Sequence, residues 1–240
     1  EEPVRAVLRR LSAVPRTTVM IVSGRALADV AQLVGLPELI YAGNHGLEIH
    51  GPGVSFVEPT AAAQRMHLKS LTDRLRESLS DVPGVIVEPK SLTTSVHDRN
   101  VPESRRPFVE NAVREVVADD SDRFVLTAGR RVWEIRPRVA WDKGRAIHWV
   151  LQRLESSAGR LDFFLGDDRT DEDAFAVLKG AVTVKIGVDQ PTCARYRIEH
   201  PEEVASFLNW LLQKLTPRQS PHGGRNGSPS RQDAPPILDN

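Results

Sequence analysis

Apolar residues recur along this chain with two different periods. Val4, Val7, Leu8 and Leu11 stand at i, i+3, i+4 and i+7, one face of a 3.6-residue helix. Residues 18–22 (TVMIV) form a short β-branched run closed by Ser23-Gly24, the pattern of a buried strand. Leu27, Val30, Ala31 and Val34 mark a second helix, and residues 39–42 a second short strand closed by Gly43-Asn44. Helix and strand alternating in this way predict an α/β fold with a largely parallel sheet.

The pattern then changes. Residues 47–50 and 54–57 flank Gly51-Pro52-Gly53 and predict a hairpin. A long helix is expected over roughly residues 61–80, carrying Leu68, Leu71, Leu75 and Leu79. Residues 85–88 and 91–97 read as strands, and Phe108, Val109, Ala112, Val113 and Val116 as a helix. Residues 124–127 and 132–136 predict a further hairpin. Together these make a compact inserted module, placed at residues 51–137. After Pro137 the first pattern returns. A helix carries Ile147, Val150, Leu151 and Leu154, and residues 161–165 form an apolar strand. A polar loop, a helix from about Asp171 and a strand over residues 181–186 follow. A last helix carries Val204, Phe207, Leu208, Leu211 and Leu215. The expected layout is one α/β core, residues 1–50 and 138–216, interrupted by the module. Residues 217–240, rich in Pro, Gly, Ser and Asn without apolar period, predict a disordered tail. Its deletion is expected to leave the melting temperature unchanged.

Charge narrows the function. The 32 basic and 32 acidic side chains cancel, so the chain carries no surplus for a nucleic-acid backbone or an anionic membrane surface. Neither nucleic acid nor membrane is an expected partner. No stretch approaches the roughly 20 apolar residues of a membrane-spanning helix. The single cysteine, Cys193, excludes an internal disulfide and a Cys-built zinc site.

Three short stretches carry chemistry. Residues 166–173 (GDDRTDED) put five carboxylates into seven residues, between an apolar strand and a helix. In open α/β sheets ligands bind beyond the carboxyl ends of strands. Carboxylates there suit Mg²⁺, a hard cation that takes oxygen ligands and shares them with phosphate. Helix capping and dipole complementation account for the acids from Asp171 onward, but not for the adjacent pair Asp167 and Asp168. In Val22-Ser23-Gly24-Arg25 a hydroxyl and free N–H groups follow a strand, and Arg25 adds a planar fork that could grip an anion. Ser there is equally a common helix cap. Lys143, in Trp141-Asp142-Lys143-Gly144, stands at the return from the module. Taken alone it reads as a solvated surface lysine.

The order strand–Ser, inserted module, Lys, strand–Gly-Asp-Asp resembles that of the haloacid-dehalogenase-like phosphatases. Within them the strings IVSGR, GNHGLEI, WEIRP, WDKG and GDDRTDEDAF resemble the trehalose-6-phosphate phosphatase family, over about residues 1–215. The resemblance implies a Rossmann-like core with an inserted α/β cap. It implies Ser23 and Lys143 holding a phosphoryl group, Asp167 and Asp168 at Mg²⁺, and Asp171 orienting Lys143. The cap would recognise sugar through Glu88, Lys90, His97, Arg99 and Glu134, with Asn44 and His45 facing it from the core and Arg25 also binding substrate. Hydroxyl recognition of this kind rejects ligands that lack the hydroxyl. Without the resemblance, Glu88/Lys90 and His97/Arg99 are simply polar faces of strands, and His45 a structural histidine.

The implied activity is Mg²⁺-dependent hydrolysis of trehalose 6-phosphate through an aspartyl phosphate, the last step of trehalose biosynthesis. A small-molecule sugar phosphate is the expected partner, with fusion to or association with a trehalose-6-phosphate synthase. A cytoplasmic place follows from the lone cysteine and the phosphorylated substrate. The family's nucleophile lies in a D-x-D-G-T motif on a strand ahead of the first helix, and this chain holds no such motif. Turnover by the 240 residues alone is therefore not expected. Two alternatives stand beside this reading. One is a phosphatase of another sugar phosphate, such as sucrose 6-phosphate or a mannosyl phosphoglycerate. The other is a non-catalytic sugar-phosphate-binding regulatory domain.

Overall fold

The computed structural model describes residues 2–154, 159–188, 191–216 and 237–239. The first helix, α1 (Glu2–Ser12), buries Val7 and Leu11 as its period requires. Strand β1 (Met20–Val22) leads into α2 (Leu27–Val34), which ends on Gly35 in the left-handed conformation (φ 64°) that glycine adopts without a Cβ clash. Strand β2 (Ile40–Gly43), buried along its whole length, pairs in parallel with β1, Met20 opposite Ile40.

The next hairpin departs from the expected boundary. β3 (Glu48–Gly51) and β4 (Val54–Val57) pair with each other, but β3 also pairs antiparallel with β2, Tyr41 opposite His50. The hairpin thus extends the core sheet and does not open the module. The cause is packing. Ile49 and Val54 join Ile40 and Ala42 in one cluster, and Phe56 stacks on Trp141 at 4.7 Å between ring centres. The expected long helix is also divided, into α3 (Pro59–Ala63) and α4 (Arg65–Ser78). Glu58 caps the first by accepting the Ala61 N–H at 2.5 Å, with Pro59 at its start.

The cap has a sheet of its own. Strands β5 (Ile86–Lys90) and β6 (Thr93–His97) precede α5 (Arg106–Ala118), and β7 (Phe124–Gly129) and β8 (Val132–Pro137) follow it. The order is β5-β6-β8-β7, all antiparallel. One face carries Val96, Ile135 and Phe124, sealed by Leu68, Leu71 and Leu75 of α4 and Val109 and Val113 of α5. The other face is polar. Glu88, Ser95 and Glu134 lie directly across from one another on β5, β6 and β8.

The core resumes with α6 (Lys143–Leu151), whose first turn is capped by Asp142 accepting the Arg145 N–H at 2.8 Å. β9 (Phe163–Gly166), α7 (Asp171–Val177) and β10 (Val182–Ile186) follow, then a strand that the sequence did not signal, β11 (Tyr196–Ile198). β9, β10 and β11 are parallel. The last long helix, α8 (Val204–Leu215), packs Phe207, Leu208 and Leu212 against Val7 and Leu11 of α1. The expected tail falls mostly outside the described residues. Within it, β12 (Leu238–Asp239) pairs antiparallel with β11, which corrects the expectation of disorder at that point. The fold class is α/β with largely parallel core strands, as the alternation predicts.

Among the described residues, β1 pairs only with β2, and β9 only with β10. Met20, Ile21 and Val22 of β1, and Phe163, Phe164 and Leu165 of β9, are only partly buried. Met20, Val22 and Phe164 nevertheless pack against one cluster, around Ile147 and Ala174.

Candidate active site

The acidic loop after β9 is built around Asp171. Its Oδ2 accepts the N–H groups of Asp167 (2.9 Å) and Asp168 (3.0 Å), and its Oδ1 accepts from Lys143 Nζ at 2.8 Å. Gly166 makes the loop possible, since a Cβ there would fall 2.5 Å from Asp171 Cβ and Cγ. Asp168 accepts from Thr170 Oγ1 at 2.7 Å, from the Asp171 N–H at 3.0 Å and from Lys143 at 3.1 Å. Lys143 is therefore no solvated lysine. It is 4% exposed, at the start of α6, where the helix dipole disfavours a cation, and two carboxylates compensate it.

The two carboxylates are driven apart. Burial pushes Asp168 up, but the Lys143 ammonium, the Thr170 hydroxyl, the Lys143 hydrogen bond and the Asp171 N–H outweigh it and bring its carboxyl to about 2. Asp171 is raised. Burial dominates there, the Asp168 charge adds to it, and Lys143 pulls the other way.

Asp167 is exposed, and its carboxylate makes no hydrogen bond or ion pair among the described residues. Its backbone is held from both sides, by Asp171 at the N–H and by Lys185 Nζ at the carbonyl (2.7 Å). Lys185 is 5% exposed and was missed by the sequence reading. Its signal was a lone lysine in the apolar strand that follows the acidic run. The donor chemistry at Asp167 fits a hard, oxygen-seeking cation. Asp168, expected beside it at the metal, is turned to Lys143 and Thr170. No cluster of three candidate ligands occurs among the described residues.

The second wall comes from β1 and β2. Ser23 Oγ accepts the Arg25 N–H at 3.1 Å, which leaves its own proton free to donate outward. The Arg25 side chain is exposed. Asn44 and His45 both have positive φ, 49° and 58°. This left-handed turn lays the His45 ring against Gly24, where a Cβ would come within 2.7 Å of Cε1 and Nε2. Gly46 packs under α6: a Cβ on it would fall 2.3 Å from Ala146 Cβ, and its carbonyl accepts from Trp141 Nε1 at 2.8 Å. The loop bearing His45 is thus seated on the helix that begins with Lys143.

The cap reaches this wall through two of its expected residues. Glu134 Oε2 lies 2.9 Å from His45 Nε2. Lys90 donates to the Gly24 carbonyl at 3.3 Å and stands 3.8 Å from Glu134. Burial pushes Glu134 up, but His45, Lys90 and Arg136 together hold it below the usual carboxylate value. Arg136, two residues along the same face of β8, was also missed, although the string WEIRP contains it. Glu88 and His97 pair with each other at 2.7 Å, and each side chain is more than a third exposed. Arg99 is exposed in the turn beyond β6, and the structure joins it to none of the others. Asn44 is fully buried, and its side chain is engaged by Glu48, Ser91 and Thr93.

Comparison with known proteins agrees with this geometry. Residues 1–202 match the family model described as trehalose-phosphatase. The trehalose-phosphate phosphatase of Mycobacterium tuberculosis is 41% identical over 223 residues, which is 89% of this chain and 55% of that protein. The chain thus spans about half the length of the curated relatives it matches. A trehalose-6-phosphate phosphatase related protein superposes with a TM-score of 0.77 at 21% identity, covering 89% of this chain and 88% of that one. The C-terminal domain of Candida albicans trehalose-6-phosphate phosphatase gives 0.73 at 21% identity, covering 90% and 84%. The fold is the one these structures share, and from residue 1 to residue 202 the chain belongs to the trehalose-phosphatase family.

Proposed function

We propose that this chain supplies the phosphoryl-holding and sugar-recognising body of a trehalose-6-phosphate phosphatase. One observation carries the reading. The phosphate-side motif and the cap's polar face meet at a single pair, Gly24 and His45, through Lys90 and Glu134. A phosphorylated sugar is a ligand with both parts in one molecule. Lys143 and the Ser23 hydroxyl are suited to hold the phosphoryl oxygens, and Asp171 keeps Lys143 in place. Lys90, Glu134 and Arg136 are suited to hydrogen-bond sugar hydroxyls, while Glu88 with His97 lies further along the same face. The exposed Asp167 carboxylate would hold Mg²⁺, with Asp168 a neighbour that already serves Lys143. Bound there, the ion would offset charge on the phosphoryl group.

The nucleophile fits between β1 and β9. A strand paired in parallel with both would bury their partly exposed apolar side chains, and its carboxyl end would emerge between Ser23 and Asp167. An aspartate there could attack phosphorus, with a second carboxylate handling the proton. The described helices include none long and apolar enough to cross a membrane, which is compatible with a cytoplasmic place. Association with a trehalose-6-phosphate synthase belongs to the same proposal.

The test is phosphate release from trehalose 6-phosphate, sucrose 6-phosphate and glucose 6-phosphate, by the 240-residue chain and by the chain with its upstream coding sequence. The chain alone should show none above a no-protein control. The extended protein should prefer trehalose 6-phosphate and lose about 10²–10³ in rate on Ser23→Ala. Equal rates on all three sugars would remove the trehalose assignment. Binding without turnover in the extended protein would favour the regulatory-domain reading.

A further inference from the structure

Asn44 sits at the seam between core and cap, and both of its donors are taken. A carboxamide offers two N–H donors and a carbonyl oxygen with two lone pairs. Here Nδ2 donates to Glu48 Oε2 at 2.9 Å and to Ser91 Oγ at 3.2 Å, while Oδ1 accepts from Thr93 Oγ1 at 2.8 Å. The side chain is fully buried, as is Thr93. Glu48, on the core strand β3, is buried too, and its other oxygen accepts from Ser91 Oγ at 2.6 Å. Arg65 of α4 reaches the same oxygen at 3.5 Å. Ser91 lies in the β5–β6 turn of the cap, and Thr93 opens β6. Between them Leu92, also fully buried, packs with Leu47 and Ala61. A sugar hydroxyl could reach Asn44 only by displacing one of these partners from a site that excludes water.

The backbone adds a second observation. Two successive non-glycine residues in the left-handed region are uncommon and persist where surrounding contacts over-determine them. The Asn44 N–H donates to the Arg25 carbonyl at 2.7 Å and the His45 N–H to the Ser23 carbonyl at 2.9 Å. The Asn44 side chain completes the restraint, and the outcome is the His45 ring laid on Gly24 and facing Glu134.

We propose that Asn44 is a positioning residue and not a sugar ligand: by joining Glu48 to Ser91 and Thr93 it pins the β5–β6 turn of the cap to the core and holds His45 in its left-handed pose. The pin stands on geometry alone. Its value to a substrate rests on the function proposed above, so the primary readout uses no substrate.

Cys193 is exposed on the core and Glu115 is exposed on α5 of the cap. Spin labels on Cys193 and on Glu115→Cys report the cap–core distance in the otherwise unaltered chain. The parent should give one narrow distance. Asn44→Ala and Thr93→Val should each raise a second, longer population from about a tenth or less of the molecules to about half. Thr93→Ser, which restores the hydroxyl, should return the single distance. Thr93→Val keeps the side-chain volume and carries the test if Asn44→Ala does not fold. A parent distribution that is already broad overturns the proposal, as does a folded Thr93→Val protein with the parent distance. Trehalose 6-phosphate titrated into the same proteins gives the rival outcome. Binding weakened tenfold by Asn44→Ala at unchanged distance, with Thr93→Val unaffected, would return Asn44 to the sugar site.

Discussion

The inner strands of the cap sheet and the first strands of the two core sheets end in opposite states. In the cap, β6 and β8 are paired on both sides, and Val96 and Ile135 are fully buried beneath α4 and α5. In the core, β1 and β9 are each paired on one side among the described residues, and Met20 to Val22 and Phe163 to Leu165 stay partly exposed. Yet their neighbours β2 and β10 bury Ile40, Ala42 and Val184 almost completely. Composition states what environment a strand requires, and exposure states whether it has been supplied. The inner strands of the cap are paired on both sides, whereas among the described residues β1 and β9, which lead into Ser23 and the acidic loop, are each paired on one side.

The largest expected effect follows from closing that gap. If a strand inserts between β1 and β9, it completes the burial of six apolar side chains. Full burial of one such side chain is worth about 1.5–3 kcal/mol, so burying the minor exposed part of six gives on the order of 3 kcal/mol. Urea unfolding of the chain with and without its upstream coding sequence measures this. An unchanged midpoint would mean that the open edges are not a strand site.

A paired truncation sharpens the same contrast. Ile135→Ala empties a site in the cap sheet and should cost about 3 kcal/mol. Phe164→Ala, in the open region, removes a larger side chain and should cost less, about 1–2 kcal/mol, because that side chain is already partly exposed. In the extended protein the order should reverse. If Phe164→Ala already costs more in the short chain, the difference between the sheets is not one of burial.

Lys143→Met tests the charged end of the gap. It leaves Asp171 buried without its cation, a loss of about 3 kcal/mol at pH 7. Stability should recover as pH falls and the stranded carboxylates take protons. A loss of the same size at every pH would point to packing in place of charge.

How far the sequence reached depends on the kind of information required. The short runs at residues 18–22 and 161–165 announced parallel strands because apolar character and flanking glycine suffice for that. The hairpin at residues 48–57 was visible as a hairpin but not as a core element, since alternation does not say which sheet will accept its edge. Lys143 was misread in isolation because burial of a lysine is decided by carboxylates 25 and 28 residues away. Lys185 and Arg136 were passed over for the same reason. The partners of Asn44 are likewise out of the sequence's reach, since they depend on a left-handed backbone and on Thr93, 49 residues on. Strand identity is local, whereas the use of a polar side chain is settled by what the fold brings to it.

The smallest expected effect lies at the seam where the cap meets the core. Glu134 faces His45 from the core, Lys90 from β5 and Arg136 from its own strand, and they hold its carboxyl below the ordinary value of 4.5. A carboxyl lowered in the folded state contributes stability that is present in full above its unfolded value and is lost as pH falls through the folded one. Asp168, lowered from 3.8 to about 2, acts in the same direction, discounted because half of its side chain is in solvent. Asp171, raised, acts in the opposite direction and offsets part of the loss. Below pH 4.5 the contribution of Glu134 should therefore decline, while the cap sheet's own apolar core is indifferent to pH. Glu134→Gln should flatten this part of the acid limb in thermal melts between pH 3 and 6. A slope that survives Glu134→Gln would move the acid sensitivity from the cap–core seam to the loop around Lys143.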